Sequence, residues 1–249
     1  MSAAQERPLL SVIVPTVGRP SLERTLRSLL QQQCWLRWEA VLVGDAHAGT
    51  WDAQLPLARE LARQHERFVY TEHDGGLHAW GHPQRNHGAT AATGRYLWWL
   101  GDDDIALPGA FHAIQEAILR RNPEPDADPR VYLFRWIAPW KQVLWHTAGY
   151  LGEEPGFIDA EMIVAPNVPE RLGTWTNRYQ GDYDFICETA HRWGGPERVV
   201  WQPEVIAQAQ PSEAEDWTRP VGEAPPVYAR VVVQQTLVPR VMGAVGVPA

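Results

Sequence analysis

Residues 9–33 read LLSVIVPTVGRPSLERTLRSLLQQQ, and the order of chemistry within them decides the fold. Leu9–Val14 is a short apolar run between Pro8 and Pro15. Such a run suits a strand buried on both faces of a parallel sheet. The loop PTVGRP follows. Then SLERTLRSLLQQQ places Leu22, Leu26, Leu29 and Leu30 on one helical face, with Ser21 as its N-cap.

The same alternation continues outward. Ala40–Val43 predicts a second strand, ending in Gly44-Asp45, and a helical pattern covers about residues 54–64. Phe68–Thr71 predicts a third strand, and HDGGLHAWGHPQRN after it reads as a loop. HGATAATGRY is a short helix of small residues ending at Gly94, and Tyr96–Leu100 is the next strand. Pro108 opens a helix with Phe111, Ile114, Ala117 and Ile118 at helical spacing, stopped by Asn122-Pro123. Strands alternating with helices predict an α/β fold: an open, mostly parallel, Rossmann-like sheet flanked by helices. Ligands of such sheets bind at the carboxyl ends of the strands. The loops holding Thr16, Asp45 and Asp102–Asp104 all follow strands, so they should converge on one rim.

Beyond residue 122 the alternation fails. NPEPDADPR is a turn-rich acidic break. Val131–Ile137 and Val143–His146 predict a hairpin across Pro139, and Ile158–Val164 a further strand. GDYDFICETAHRWGG predicts a helix with Phe185, Ile186, Thr189 and Trp193 on one side, ended by Gly194-Gly195. Val199–Trp201 and Val205–Ala207 read as two late strands. The expected organisation is an α/β half over 1–122, a second half over 123–220 and an apolar, valine-rich tail over 221–249. The tail reads as an arm packed on its own domain or exchanged between the subunits of a homodimer. Its lack of a basic face argues against a membrane-surface helix.

Composition narrows the function. The chain has 249 residues, a formal net charge of −8 and 45% hydrophobic residues, so it can bury a sizeable core. That acidity argues against a non-specific grip on nucleic acid. Its two cysteines, Cys34 and Cys187, stand far apart and form neither a disulfide framework nor a zinc knuckle. No charged-then-apolar leader and no long apolar span is apparent, so the expectation is a soluble cytoplasmic chain. Thirteen tryptophans are many. They fill volume in cores, and in sugar-handling proteins they also stack on pyranose faces.

LWWLGDDDIALPG, residues 97–109, holds the most pointed chemistry. One aspartate would serve to cap the helix that follows. Three of them behind a buried strand call for a stronger counter-charge. A hard divalent cation answers this, because Mn2+ and Mg2+ prefer oxygen ligands and often bind through one or two carboxylates plus substrate phosphates. The loop therefore reads as a metal–diphosphate site.

Four segments, in order, resemble family-2 glycosyltransferases of the GT-A fold. SVIVPTVGRPSLERTLRSLLQQ resembles the opening strand, loop and helix of that family. VLVGDAHAGT resembles its second strand, and QRNHGATAATGRYLWWLGDDD its arginine-asparagine loop, small-residue helix and DxD-type metal site. GTWTNRYQGDYDFICETA resembles the segment that supplies the catalytic carboxylate. The resemblance runs from about residue 9 to 195. It implies that Pro15 and Thr16 shape the nucleotide pocket and that Asp45 faces the nucleobase. Arg85 would lie near the nucleotide and Asn86 would brace the site. Asp102 would touch the ribose, and Asp103 would hold the metal. Asp104 would be a further ligand or an acceptor contact. Asp182 aligns with the general base, Asp184 follows it toward the acceptor, and Trp175 would wall the acceptor site. Arg19 either reaches a phosphate or is a solvated loop residue.

The implied reaction is inverting transfer of a sugar from a UDP- or GDP-sugar to an acceptor hydroxyl, aided by Mn2+ or Mg2+. Asp182 would take the hydroxyl proton, kept ionised by the dipole of the helix it opens. The chain departs from the family pattern at three places. Gly44 replaces the first of two acids, AHAG replaces a Gly-Ser run, and Gly101 fills the first position of a strict DxD. These leave the nucleobase and the metal ligand open, as is the acceptor. The competing readings are a nucleotidyltransferase and a catalytically silent binding protein on the same sheet. PTVGRP lacks the glycine-rich loop and lysine of the former. His73, His78, His82 and His87 crowd one region, but Gly75, Gly76, Gly81 and Pro83 argue against the helix that would pair His78 with His82 on zinc.

Overall fold

The computed structural model describes residues 7–47, 55–76, 79–121, 128–139, 143–144 and 158–212. The leader of the expected sheet is β1 (Leu10–Thr16), buried along its whole length. It lies between β2 (Trp38–Asp45) and β4 (Tyr96–Trp99), parallel to both, and β2 pairs in parallel with β3 (Phe68–His73). Burial on both faces explains why β1, β2 and β4 are near-continuous apolar runs rather than alternating ones, while β3, at the sheet edge, is only partly buried.

The described strands form one nine-stranded sheet in the order β3-β2-β1-β4-β8-β6-β9-β5, with β7 beside β6. The second half joins through β8 (Ile163–Pro166), which is antiparallel to both β4 and β6 (Val131–Ile137). β7 (Val143–Leu144) closes the expected hairpin on β6. The two expected late strands are one element, β9 (Val199–Gln208), parallel to β6. Its register against β6 shifts between Leu133 and Trp136, a bulge that sequence reading splits into a break. A two-residue strand, β5 (Ile105–Ala106), directly after the aspartates, was too short to expect.

Five helices carry this sheet among the described residues. α1 (Ser21–Leu30) begins one residue earlier than a Ser21 cap would allow; Pro20 is its N-cap and no side chain caps it. Leu30 does not share the buried face, being 40% exposed. Thr25 and Ser28 are buried instead, because their hydroxyls serve the aspartate strand. Thr25 Oγ1 donates to Asp104 O (2.6 Å), and Ser28 Oγ accepts from Ala106 N (3.0 Å). α2 (Leu55–Arg63) packs on β2 and β3, and α4 (Ala110–Arg121) on β9.

α3 (His82–Ala91) takes in residues expected to be loop. Gly81, at φ 74°, turns the chain, and Pro83 sits in the first turn where its missing N–H costs nothing. α5 (Gly181–Arg192) is as expected: Phe185, Ile186, Thr189 and Trp193 are buried, and Gly194 and Gly195 end it at positive φ. The expected strand over residues 158–164 is shorter. Asp159 caps a 3-10 turn over Ala160–Met162, and β8 starts only at Ile163. His78, the stop at Asn122-Pro123 and the apolar tail lie outside the described residues.

Candidate active site

The carboxyl ends of β1, β2 and β4 open on a cavity of about 540 Å³. Pro15, Thr16, Arg19, Asp45, Arg85 and all three residues Asp102–Asp104 line it, and so does Asp182. The strand-end loops therefore do converge on one rim. That rim is where an open α/β sheet offers unpaired loop backbone and room for side chains.

The three aspartates point three ways. Asp102 is buried and turned to the β1 loop: Thr16 Oγ1 (2.8 Å) and Val17 N (3.2 Å) both donate to its Oδ2. Burial raises its pKa, while Arg19 and the Thr16 bond pull the other way. Asp103 reaches the cavity, where Arg19 Nη1 donates to its Oδ2 at 2.8 Å. Asp104 turns inward to Glu161, with which it shares a hydrogen bond, and its Oδ1 accepts from Gln210 N at 3.0 Å.

Behind Asp104 stands a group that the sequence reading missed. Glu161 is fully buried and bonds to both Asp104 and Asp159. Glu161 also accepts the backbone N–H of Gly101 at 3.1 Å. Burial first, then repulsion from Asp103 at Asp104, from Asp104 at Glu161 and from Glu161 at Asp159, pushes the pKa of all three upward, so the trio holds protons near neutrality. Both acids come from DAEMIVAP, which reads as an ordinary strand approach. The only signal was two acids, one residue apart, in an otherwise apolar segment.

Arg85 supplies positive charge to this acidic wall. It is buried, donates from Nη1 to Trp80 O (2.6 Å) and lies over the Trp175 ring at 5.3 Å. Its charge opposes the upward shift of Asp159, Glu161 and Asp182. His82 lines the same cavity, and burial followed by the nearby Arg85 lowers its pKa to about 4. It is therefore neutral and donates from Nδ1 to Thr176 O.

Asp182 sits in the first turn of α5, but the helix dipole does not keep it strongly ionised as expected. Burial, with Asp159 close by, raises its pKa to about 7. Its Oδ1 is buried and finds no partner among the described residues. The carboxylate takes a hydrogen bond from its own backbone N–H, which leaves Oδ1 as an unfilled acceptor.

Three expected site residues stand behind the cavity rather than in its wall. Asn86 and Trp175 exchange hydrogen bonds, Asn86 Nδ2 to Trp175 O (2.9 Å) and Trp175 N to Asn86 Oδ1 (3.0 Å), so Asn86 braces the approach to α5. Trp175 is buried and stacks on Phe185, centroids 4.2 Å apart. Asp184 accepts from Thr176 Oγ1 at 2.7 Å and faces Arg178.

Among the described residues no three His, Cys, Asp or Glu side chains are gathered into a metal cage. The donor chemistry still fits a hard cation. Asp103 offers carboxylate oxygens to the cavity beside Asp102, and a Mn2+ or Mg2+ ion held by one or two carboxylates draws its remaining ligands from phosphate and water.

Comparison with known proteins gives a consistent picture. The family profile described as Glycosyl transferase family 2 matches residues 11–142. Over 111 residues the chain is 33% identical to the uncharacterized glycosyltransferase EpsJ of Bacillus subtilis (strain 168), covering 44% of this chain and 30% of that protein. The crystal structure of S. aureus TarS superposes with a TM-score of 0.62 at 14% identity, over 82% of this chain and 37% of that one. TarS 1-349 in complex with UDP-GlcNAc gives 0.59 at 16% identity, over 83% and 59%. The mannosyltransferase PcManGT from Pyrobaculum calidifontis, in complex with GDP-Man and Mn2+, gives 0.54 at 19% identity, over 84% and 59%. The chain spans under a third of the length of the curated relative and less than two thirds of these structures. At such identities the structural likeness shows a shared GT-A fold.

Proposed function

The chain belongs to glycosyl transferase family 2, and from that premise we propose that its cavity transfers a sugar from a nucleoside-diphosphate sugar to an acceptor hydroxyl with inversion. One observation carries this reading. The aspartate loop of β4 and Asp182 of α5 line a single cavity that also holds Thr16, Asp45, Arg19 and Arg85. The nucleotide lies along the ends of β1 and β2, with Asp45 toward the base and Asp102 toward the ribose. Arg19 and Arg85 offset the charge of the diphosphate. A divalent cation on Asp103 would neutralise the nucleoside diphosphate as it leaves. Asp182 accepts the acceptor hydroxyl's proton while that oxygen attacks the anomeric carbon from the face opposite the leaving group. The buried trio Asp104, Glu161 and Asp159 stays partly protonated and keeps the aspartate loop in place.

In this reading residues up to 122 serve the donor, and those from 123 to 220 serve the acceptor and the base. Isothermal titration of UDP-GlcNAc and GDP-Man, with and without Mn2+, tests the proposal. Tight binding of one donor only with the metal is the expected result. Absence of any metal-dependent nucleotide binding would sink it.

A further inference from the structure

Two large aromatic rings stand uncovered at the mouth of the cavity. Trp80, on the loop before α3, is 52% exposed, and Tyr179, just ahead of α5, is 74% exposed. Both line the cavity. Their ring centroids are 6.2 Å apart and their planes meet at 76°, so together they make an open corner.

The backbone works to hold that corner. Trp80 has φ 50°, a left-handed conformation that a bulky side chain rarely adopts, and Gly81 follows at φ 74°. His82 N donates to Ala79 O (2.8 Å), and Arg85 Nη1 to Trp80 O (2.6 Å), pinning the turn. Behind Trp80 the rings of His82 and Trp175 continue inward at 6.2 and 5.8 Å. Strain of this kind persists where surrounding structure enforces it, and it clusters at ligand clamps.

We propose that Trp80 and Tyr179 form the acceptor subsite and that the acceptor is a pyranoside. The inference rests on the transferase reading given above. Aromatic faces carry negative charge density and attract the weakly positive C–H groups on one face of a pyranose. The cavity wall also holds Asp159 and Asp182, carboxyl groups that can exchange hydrogen bonds with hydroxyl groups. An aromatic corner backed by carboxyls suits a ring with one apolar face and a rim of hydroxyls. The corner spans the two ends of the cavity. Tyr179 lies just ahead of the helix that carries Asp182, and Gly81, next to Trp80, packs close to Pro15 at the end of β1. A sugar ring seated in the corner therefore lies between the proposed nucleotide end and the proposed base.

Saturation-transfer NMR tests this with wild type, Trp80→Ala and Tyr179→Ala, each with Mn2+ and UDP or GDP. The probes are the methyl glycopyranosides of glucose, galactose, mannose and N-acetylglucosamine. At least one should receive saturation at its ring C–H protons from the wild type and lose at least fivefold in each variant, with Trp80→Phe retaining most of it. Nucleotide affinity, titrated in parallel, should stay within about twofold, since both variants keep the Trp80 carbonyl that holds Arg85. The subsite fails if no pyranoside contacts the wild type, or if contact survives both alanine variants while the nucleotide binds normally. It also fails if both variants lose nucleotide affinity tenfold, because the rings would then stack on the base. Failure of the wild type to bind either nucleotide with Mn2+ would instead remove the transferase reading and this inference with it.

Discussion

The backbone N–H of Gly101 donates to Oε1 of Glu161 at 3.1 Å, joining positions 60 residues apart. A Cβ at residue 101 would run into the Asp104 carboxylate, which is itself bonded to Glu161. The first position of the family's acidic signature is therefore closed to any side chain here. Gly101→Ala should lower stability by about 1–3 kcal/mol through overpacking. Gly101→Asp, which restores the acidic pattern on paper, should lower it further and weaken metal-dependent nucleotide binding. Denaturant unfolding of both variants checks this; an unchanged midpoint would mean that the loop simply gives way.

Asp182→Asn removes the proposed proton acceptor with little change of shape. Transfer should fall by roughly 10²–10⁴-fold, the usual contribution of a general base. Nucleotide affinity should stay within about twofold. Loss of both together would place Asp182 in donor binding rather than in proton transfer.

The pH profile of transfer should rise with pH and level off above about 7, the value to which burial lifts Asp182. Below it the carboxyl is protonated and holds no free site for the hydroxyl proton. A profile already flat at pH 5 would contradict the assignment.

Stability should run the opposite way. Burial raises Asp104 to about 7, Glu161 to about 8 and Asp182 to about 7. In an unfolded chain such groups titrate near 4. The folded form therefore binds more protons, so its stability is greatest below about pH 4 as far as these groups are concerned and is lost as pH rises through 7 to 8. The ligand-free chain should lose on the order of a few kcal/mol between pH 5 and 9 from them. Melting temperature against pH measures it. Mn2+ with the binding nucleotide should flatten the slope, and a flat profile without ligand would show that the cluster is solvated.

Much of this was legible from local pattern. Leu10–Thr16 and Tyr96–Trp99 are apolar runs long enough for strands and too short for most helices, and the acids after them had to lie on the ligand-binding rim. What escaped notice depends on distant contact. Thr25 and Ser28 look like polar interruptions in α1 until their hydroxyls meet the backbone of Asp104 and Ala106. Glu161 looks like a surface acid until Asp104 and Gly101 N are placed against it. The shift of Asp182 also escaped, since a helix N-terminus argues for ionisation and only the packing around it reverses the sign.

β8 lies between β4 and β6 and bonds to both, so the two ends of the reaction are stitched into one sheet by a strand of four residues. A chain cut after residue 122 would leave β4 with a bare hydrogen-bonding edge and the cavity without Asp182. Such an edge recruits strands from neighbouring chains. Residues from 123 onward therefore cannot be exchanged as a free-standing cassette, because β8 is hydrogen-bonded into the middle of the sheet. Two separately expressed pieces would regain function only by rebuilding the β4–β8 seam.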